Sequence, residues 1–227
     1  MHAVRVVLIG GTSNTGKSTV AAAVAGRLGF ECLSTDSLAR HPGRPWRRPG
    51  WEVPAHVAGH YGSLTIGELI TSVLDHYERL WPRVEEIITS RVGGGSGPGL
   101  VLEGSALWPA WVAQLTVPRT AAVWLTADEA LLQARIHAAG RYSDATDAER
   151  QLMDKFLGRT RQYQALMLDD VGRLGLHRID VTGRSVEDLA SAVLAAVATA
   201  GSQRRSNHPA EPVHQHTAGD HLSDESS

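Results

Sequence analysis

Apolar residues recur along the chain in two rhythms. Short runs rich in β-branched and aliphatic residues, at 4–9, 30–34, 100–102, 121–125 and 177–181, read as five strands. Between them the helical period appears. Residues 19–28 are small and apolar enough to pack close to a sheet. From Thr65 onward, Ile66, Leu69, Ile70, Val73, Leu74, Tyr77, Leu80, Trp81, Val84, Ile87 and Ile88 fall on one face at three- and four-residue steps. Pro82 should kink or restart that helix. A short helix is expected over 106–115, another over 127–139, a long one over 147–173 and a last one over 186–199. Four starts carry a capping box: Thr65 with Glu68, Thr126 with Glu129, Thr146 with Glu149, and Ser185 with Asp188. Strands alternating with helices predict one α/β domain over 1–200. Its parallel sheet would be covered on both faces, with ligands at the C-terminal strand ends.

Three stretches break the pattern. Residues 40–62 carry Arg44, Arg47 and Arg48, several prolines, and Trp46 and Trp51. They read as a long irregular segment that docks on something. Residues 93–99 form a glycine-rich loop. Residues 201–227 are polar and read as a disordered tail. Its His208, His214, His216 and His221 look solvated rather than arranged for a metal.

The chain has 227 residues, 42% of them apolar, and a formal charge of −2. A core of ordinary size is affordable, and binding nucleic acid through bulk charge is not indicated. The single cysteine, Cys32, excludes a disulfide framework and favours a cytoplasmic protein. Inside a strand it should be buried. The apolar run at 189–200 is too short to span a membrane, and the first strand begins too early for a signal peptide to precede it. A homodimer is compatible with the sequence, which does not fix the oligomeric state.

The chemistry concentrates at Gly11-Thr12-Ser13-Asn14-Thr15-Gly16-Lys17-Ser18, which fits the phosphate-loop pattern G-x-x-x-x-G-K-[ST] between a strand and a helix. Glycines let the backbone curl until successive N–H groups point at phosphate oxygens. The following helix aims its positive end at the same place. Lys17 reaches the outer phosphates, and the Ser18 hydroxyl suits Mg²⁺. The alternative, a glycine turn with an incidental lysine, must account for strand, glycines, Lys-Ser and helix all in register. Nucleoside triphosphate binding is therefore expected.

Further candidates lie at the same sheet edge. Asp36 follows the second strand; it can orient an acceptor hydroxyl or a hydrated Mg²⁺, or else cap a short helix. Glu103 closes the third strand, where phosphate-loop enzymes keep an acid for the Mg²⁺ shell. Arg135 and Arg141 bracket His137-Ala138-Ala139-Gly140, and can neutralise charge in transfer or stay solvated. Arg159 and Arg161, two apart on a helix, cannot both face the site. Arg47, Arg48 and Trp51 are candidates for holding a substrate.

These motifs resemble the P-loop small-molecule kinases: strand-GTSNTGKST-helix, then STDSL, VLEGSAL and RIHAAGR, across residues 3–199. Within that superfamily the likeness is to 2-phosphoglycerate-kinase-like and chloramphenicol-phosphotransferase-like proteins, through Thr35-Asp36-Ser37. Uridine and nicotinamide riboside kinases are similar more distantly. Ser37 stands where they carry a second acid, and the segment 40–62 matches none of their pockets. The resemblance implies a P-loop NTPase fold of three α/β/α layers on a five-stranded parallel sheet, nucleoside/nucleotide-kinase-like, with a lid over 135–146. It implies ATP and Mg²⁺ as cofactors and a small molecule as acceptor, with no nucleic-acid or membrane partner. Gly11 to Thr19 would bind the phosphates, with Ser18 and Glu103 at the metal. Asp36 would activate the acceptor, and Arg135 and Arg141 would be lid arginines. Thr182 and Gly183 would lie near the adenine. Two rival readings remain: a nucleotide kinase with a phosphate acceptor, and a nucleotide-dependent regulatory ATPase.

Overall fold

A computed structural model describes residues 4–39, 41–48, 50–93 and 97–206, without the side chains of 200–206. Five parallel strands form one sheet in the order β2-β3-β1-β4-β5. They are β1 Val6–Gly11, β2 Glu31–Ser34, β3 Leu100–Glu103, β4 Thr120–Thr126 and β5 Arg178–Asp180. The helices are α1 Lys17–Leu28, α2 Ala55–Ser63, α3 Ile66–Gly93, α4 Pro109–Gln114, α5 Glu129–Gly140, α6 Asp147–Arg173 and α7 Val186–Ser206.

β1 lies at the centre, and all its residues are buried. Its side chains alternate between the faces, as a strand's must. Val7 and Ile9 enter the layer of Val20, Val24, Leu189 and Val193, supplied by α1 and α7. Val6 and Leu8 enter the opposite layer with Ile70, Val84, Ile88 and Met167, supplied by α3 and α6. The chain reverses direction across the sheet at β1, so β1 delivers its C-terminal end to the crevice where ligands bind in such folds.

Several expectations need correction. The segment 40–62 is not irregular throughout. It ends in α2, whose Val57 and Tyr61, four residues apart, are buried. Trp46 is buried with them, beside Phe156, Met153 and Ile136, in a third core cluster. Pro82 neither ends nor restarts α3, which runs through it as one helix. Leu80, Val84 and Ile88 are buried on either side of the proline, and their packing outweighs the lost backbone bond. α4 is only six residues long, with Pro109 at its first position. Thr126 does not cap α5: it ends β4, and Asp128 caps instead, accepting from the Leu131 N–H at 2.6 Å. The boxes at Thr65 and Thr146 form. Ser185 accepts from the Asp188 N–H at 3.1 Å, while the Asp188 carboxylate turns to the Ser185 hydroxyl. Cys32 is exposed, because β2 is an edge strand. α7 extends to Ser206, past the expected start of the tail. From residue 207 on, the expected tail and its four histidines lie outside the described residues, as do 94–96 of the glycine-rich loop.

Candidate active site

The phosphate loop turns from β1 into α1 through Gly16, whose φ of +90° belongs to the left-handed region that glycine enters without strain. Asn14 at the tip is left-handed too, at φ 64°. The loop is braced from within. Thr15 donates its hydroxyl to the Thr12 carbonyl at 3.0 Å, and Lys17 Nζ donates to the same oxygen at 2.7 Å. The Thr12 hydroxyl donates to the Thr160 carbonyl of α6 at 3.2 Å, tying the loop to that helix. Burial pushes the Lys17 ammonium below the ordinary lysine range, and the charges of Glu103 and Asp36 oppose that shift. Ser13 lines the cleft beside the loop, and Thr19 is exposed on the first turn of α1.

The two acids flank the loop. Glu103 ends β3, only 3% exposed, and its Oε1 accepts from the Ser18 hydroxyl at 2.9 Å. Asp36 sits in a single 3₁₀ turn, Thr35–Ser37, directly after β2. Ser34 Oγ accepts from the Asp36 N–H at 3.3 Å and caps that turn. The Asp36 carboxylate is exposed, and its charge bears on Lys17, Arg44, His76 and Tyr77. Its charge is therefore within electrostatic reach of the loop and of α3. Gly104 joins the two acids. Its φ is +154°, and a Cβ there would stand 1.8 Å from Thr35 Oγ1. The missing side chain lets the turn after Glu103 lie against the turn that carries Asp36.

The arginines divide. Arg135 reaches the loop, donating from Nη1 to the Asn14 carbonyl at 3.0 Å. Arg141, 76% exposed, pairs with Asp144 at 2.9 Å on the polar turn after α5 and does not touch the loop. Arg159 is buried against the cleft lined by Thr12, Ser13, Val73, Tyr77, Ser105 and Tyr163. Arg161 points the other way, to Gln133 Oε1 at 2.9 Å and Glu129. Arg47 pairs with Glu149 at 2.7 Å, at the start of α6. Arg48 lies over the Trp51 ring at 5.0 Å, within a local antiparallel bridge. None of Arg47, Arg48 and Trp51 lines that cleft. Thr182 Oγ1 accepts from the Asp128 N–H at 3.1 Å, and Gly183 turns the chain toward α7 at φ +69°. Both lie at the C-terminal edge of β4 and β5.

Sequence reasoning missed Tyr61, Tyr77, Tyr163, Ser105, His41 and Arg44. The Tyr163 hydroxyl donates to the Ser105 carbonyl. Burial pushes the Tyr77 phenol up to about 12 and the Tyr163 phenol well above its ordinary range, so both stay protonated donors. The ring of His41 lies 5.1 Å from that of His60 and 5.3 Å from that of His76, with Nε2 3.3 Å from Ser72 Oγ. These contacts fasten the start of the segment 40–62 to α2 and α3. The aromatic periodicity of α3 and α6 was the available signal, but it is also what a plain core would show.

Among the described residues, no His, Cys, Asp and Glu side chains cluster as a metal site of their own, and no helix is long and apolar enough to cross a membrane. No family model matches the chain, and no curated protein matches it. Solved structures do. A gluconokinase from Sinorhizobium meliloti 1021 matches with a TM-score of 0.52 at 20% identity, over 91% of this chain and all of its own. A shikimate kinase from Aquifex aeolicus vf5 matches with a TM-score of 0.51 at 12% identity, over 86% of this chain and 97% of its own. At such identities the likeness concerns the fold. The chain has the α/β fold of the P-loop kinases, with a five-stranded parallel sheet and helices on both faces.

Proposed function

We propose that this protein is an ATP-dependent phosphotransferase that moves the γ-phosphoryl group to a hydroxyl of a small molecule. The observation that carries the reading is the meeting of four groups at one crevice: Lys17, Ser18, Asp36 and Glu103. The Ser18 hydroxyl is held by the buried Glu103, and Asp36 stands where its charge reaches Lys17. The resemblance at Thr35-Asp36-Ser37 supports an acceptor alcohol, of the kind borne by a sugar acid, a nucleoside or an antibiotic. The match to a gluconokinase and a shikimate kinase agrees with that range.

The residues present fit Mg²⁺ and a polyphosphate. Ser18 Oγ and Glu103 Oε1 already form an oxygen pair at 2.9 Å, and the buried Asn14 Nδ2 has no partner within the protein. Ser18 would bind the ion directly and Glu103 through its hydration shell; the ion would neutralise phosphate charge. The amides of Gly11 to Thr19 would hold the phosphates, with Lys17 exchanging its bond to the Thr12 carbonyl for phosphate oxygens. Arg135, already on the loop, would face the phosphoryl group in transit; Arg141 would reach it only when the 135–146 lid closes. Thr182 and Gly183 would border the base. Asp36 would accept a hydrogen bond from the acceptor hydroxyl, aligning its oxygen and taking the proton late, since the transition state is loose. Arg159 would line the acceptor pocket, while Arg47, Arg48 and Trp51 would reach an acceptor only by leaving their present partners.

ADP release is the test, measured over a panel of hydroxylated compounds. Turnover with at least one of them is expected, and Asp36→Ala should lower it while leaving binding of an ATP analogue intact. Undiminished turnover in Asp36→Ala would remove the role of that residue. ATP hydrolysis unaffected by every compound would favour the regulatory ATPase.

A further inference from the structure

Among the described residues, three charged side chains are buried: Lys17, Glu103 and Arg159. The first two answer each other across the phosphate loop. Arg159 has no such answer. Its contacts are the Tyr61 hydroxyl, which accepts from Nη1 at 2.9 Å, and the faces of Phe156 at 4.6 Å and Tyr61 at 5.6 Å. Among the described residues no carboxylate lies in ion-pair reach of it. Ring faces hold a guanidinium in place, but they do not cancel its charge. A buried cation without a counter-charge is costly, and a folded chain keeps one where a ligand completes it.

The geometry says where that ligand would sit. Arg159 shares the inner face of α6 with Phe156 and Tyr163, three and four residues away. The next residue, Thr160, accepts from Thr12, so this turn is fixed to the phosphate loop. A guanidinium offers five N–H donors in a planar fork, and the bond to Tyr61 uses one of them. The space beside the fork is a small cavity of about 10 Å³ lined by Thr12, Ser13, Tyr77 and Tyr163. Tyr77 is within electrostatic reach of both Arg159 and Asp36. Burial first, and then the charge of Arg159, lowers the pKa of His41 and His60. No carboxylate is among the described residues that line the cavity at the fork.

We propose that the acceptor of the transfer inferred above is itself an anion, whose oxyanion takes the free edge of Arg159 while its hydroxyl turns toward Asp36. The oxyanion is a carboxylate or a phosphate ester; the chemistry at Arg159 is common to both. The proposal rests on the phosphotransferase reading and narrows it.

The full-length protein is assayed for ADP release with hydroxy acids of three to seven carbons, each paired with its primary amide. Sugar phosphates paired with their parent sugars form the second arm. One charged class should exceed its neutral partner at least tenfold in kcat/KM, and the arm that responds identifies the oxyanion. Arg159→Gln should raise KM for the charged compound roughly 100-fold with kcat nearly unchanged, and cost the neutral partner at least tenfold less. Arg159→Lys, which keeps charge and bulk but loses the fork, should fall between. Neutral partners turned over as well as charged ones would overturn the inference and leave the transferase reading standing, and so would an equal loss on both in Arg159→Gln. If nothing is turned over, the transferase reading fails, and the inference is read from melting temperature with the Mg²⁺ complex of a non-hydrolysable ATP analogue. A stabilisation by the charged compounds that Arg159→Gln abolishes would retain an anion site at Arg159; no stabilisation would remove it.

Discussion

At the phosphate end of the cleft, most partners come from an eight-residue run, Gly11 to Ser18, and from the strand end beside it. At the end proposed for the acceptor they come from α2, α3, α6 and the turn after β3: Tyr61, Tyr77, Arg159, Tyr163 and Ser105. The first is built from backbone conformation and local hydrogen bonds, with Thr12 serving as anchor for both Thr15 and Lys17. The second is built by packing: Tyr61, Tyr77, Arg159 and Tyr163 are placed by helices whose positions depend on the whole sheet, and Ser105 by the turn after β3. The two ends should therefore fail differently. Damage to the loop should cost chemistry and spare the fold. Damage at the acceptor end should cost selectivity or packing.

Lys17→Ala should separate the two ends most clearly. It should abolish transfer, a loss of about 1000-fold or more in ADP release, with little change in melting temperature. Asp36→Asn keeps shape and removes charge. It should lower kcat by about 100-fold while KM for ATP stays put, because the role proposed for the residue is toward the acceptor hydroxyl. Gly104→Ala tests the hinge between the two ends. The added Cβ would meet Thr35 Oγ1, so urea denaturation should show a loss of about 2 kcal/mol, with turnover reduced in the surviving folded protein.

Acid should act on the acceptor end first. His41 is held neutral, its pKa pushed down to about 3 by burial and then by the Arg159 charge, from an ordinary 6.5. Its neighbours His60 and His76 shift the same way. The unfolded chain takes these protons before the folded one does. The His41 contribution is therefore complete above pH 6.5 and is lost as pH falls toward 3. The urea midpoint should drop between pH 7 and pH 4, and more steeply in the native sequence than in His41→Asn. Equal slopes would show that His41 does not carry the effect. The smallest effect expected is that of Arg141→Ala: its pair with Asp144 is exposed, so stability should move by no more than about 0.5 kcal/mol. Arg135→Ala, which loses the contact to the loop, should slow turnover more than Arg141→Ala does.

The same contrast explains what was legible in the sequence. Strand order aside, the alternation of apolar runs and helical stretches was enough for the α/β class, and the spacing of Gly11, Gly16, Lys17 and Ser18 for the loop. Those signals are local: a backbone turn and a charge a few residues apart in the chain. Glu103 was legible because it follows three apolar residues at a strand end. Gly104 was not, since its purpose lies in Thr35, 69 positions earlier in the chain, and becomes visible only when β2 and β3 pair. Pro82 and Thr126 misled, because a helix breaker and a capping pair describe local preference, and tertiary packing overrode both. The segment 40–62 read as loop from its prolines and arginines, while Trp46, Val57 and Tyr61 were seeding a core cluster of their own.

The account stands or falls on where the terminal phosphoryl group of ATP goes. The direct measurement follows γ-³²P-labelled ATP with the native protein, Mg²⁺ and a pool of hydroxy acids and sugar phosphates, separating labelled ester from inorganic phosphate. Label on an acid-stable phosphate ester of one pooled compound, greatly reduced in Asp36→Asn and absent in Lys17→Ala, is the predicted result. Label appearing only as inorganic phosphate, at the same rate with and without the pool, would contradict it.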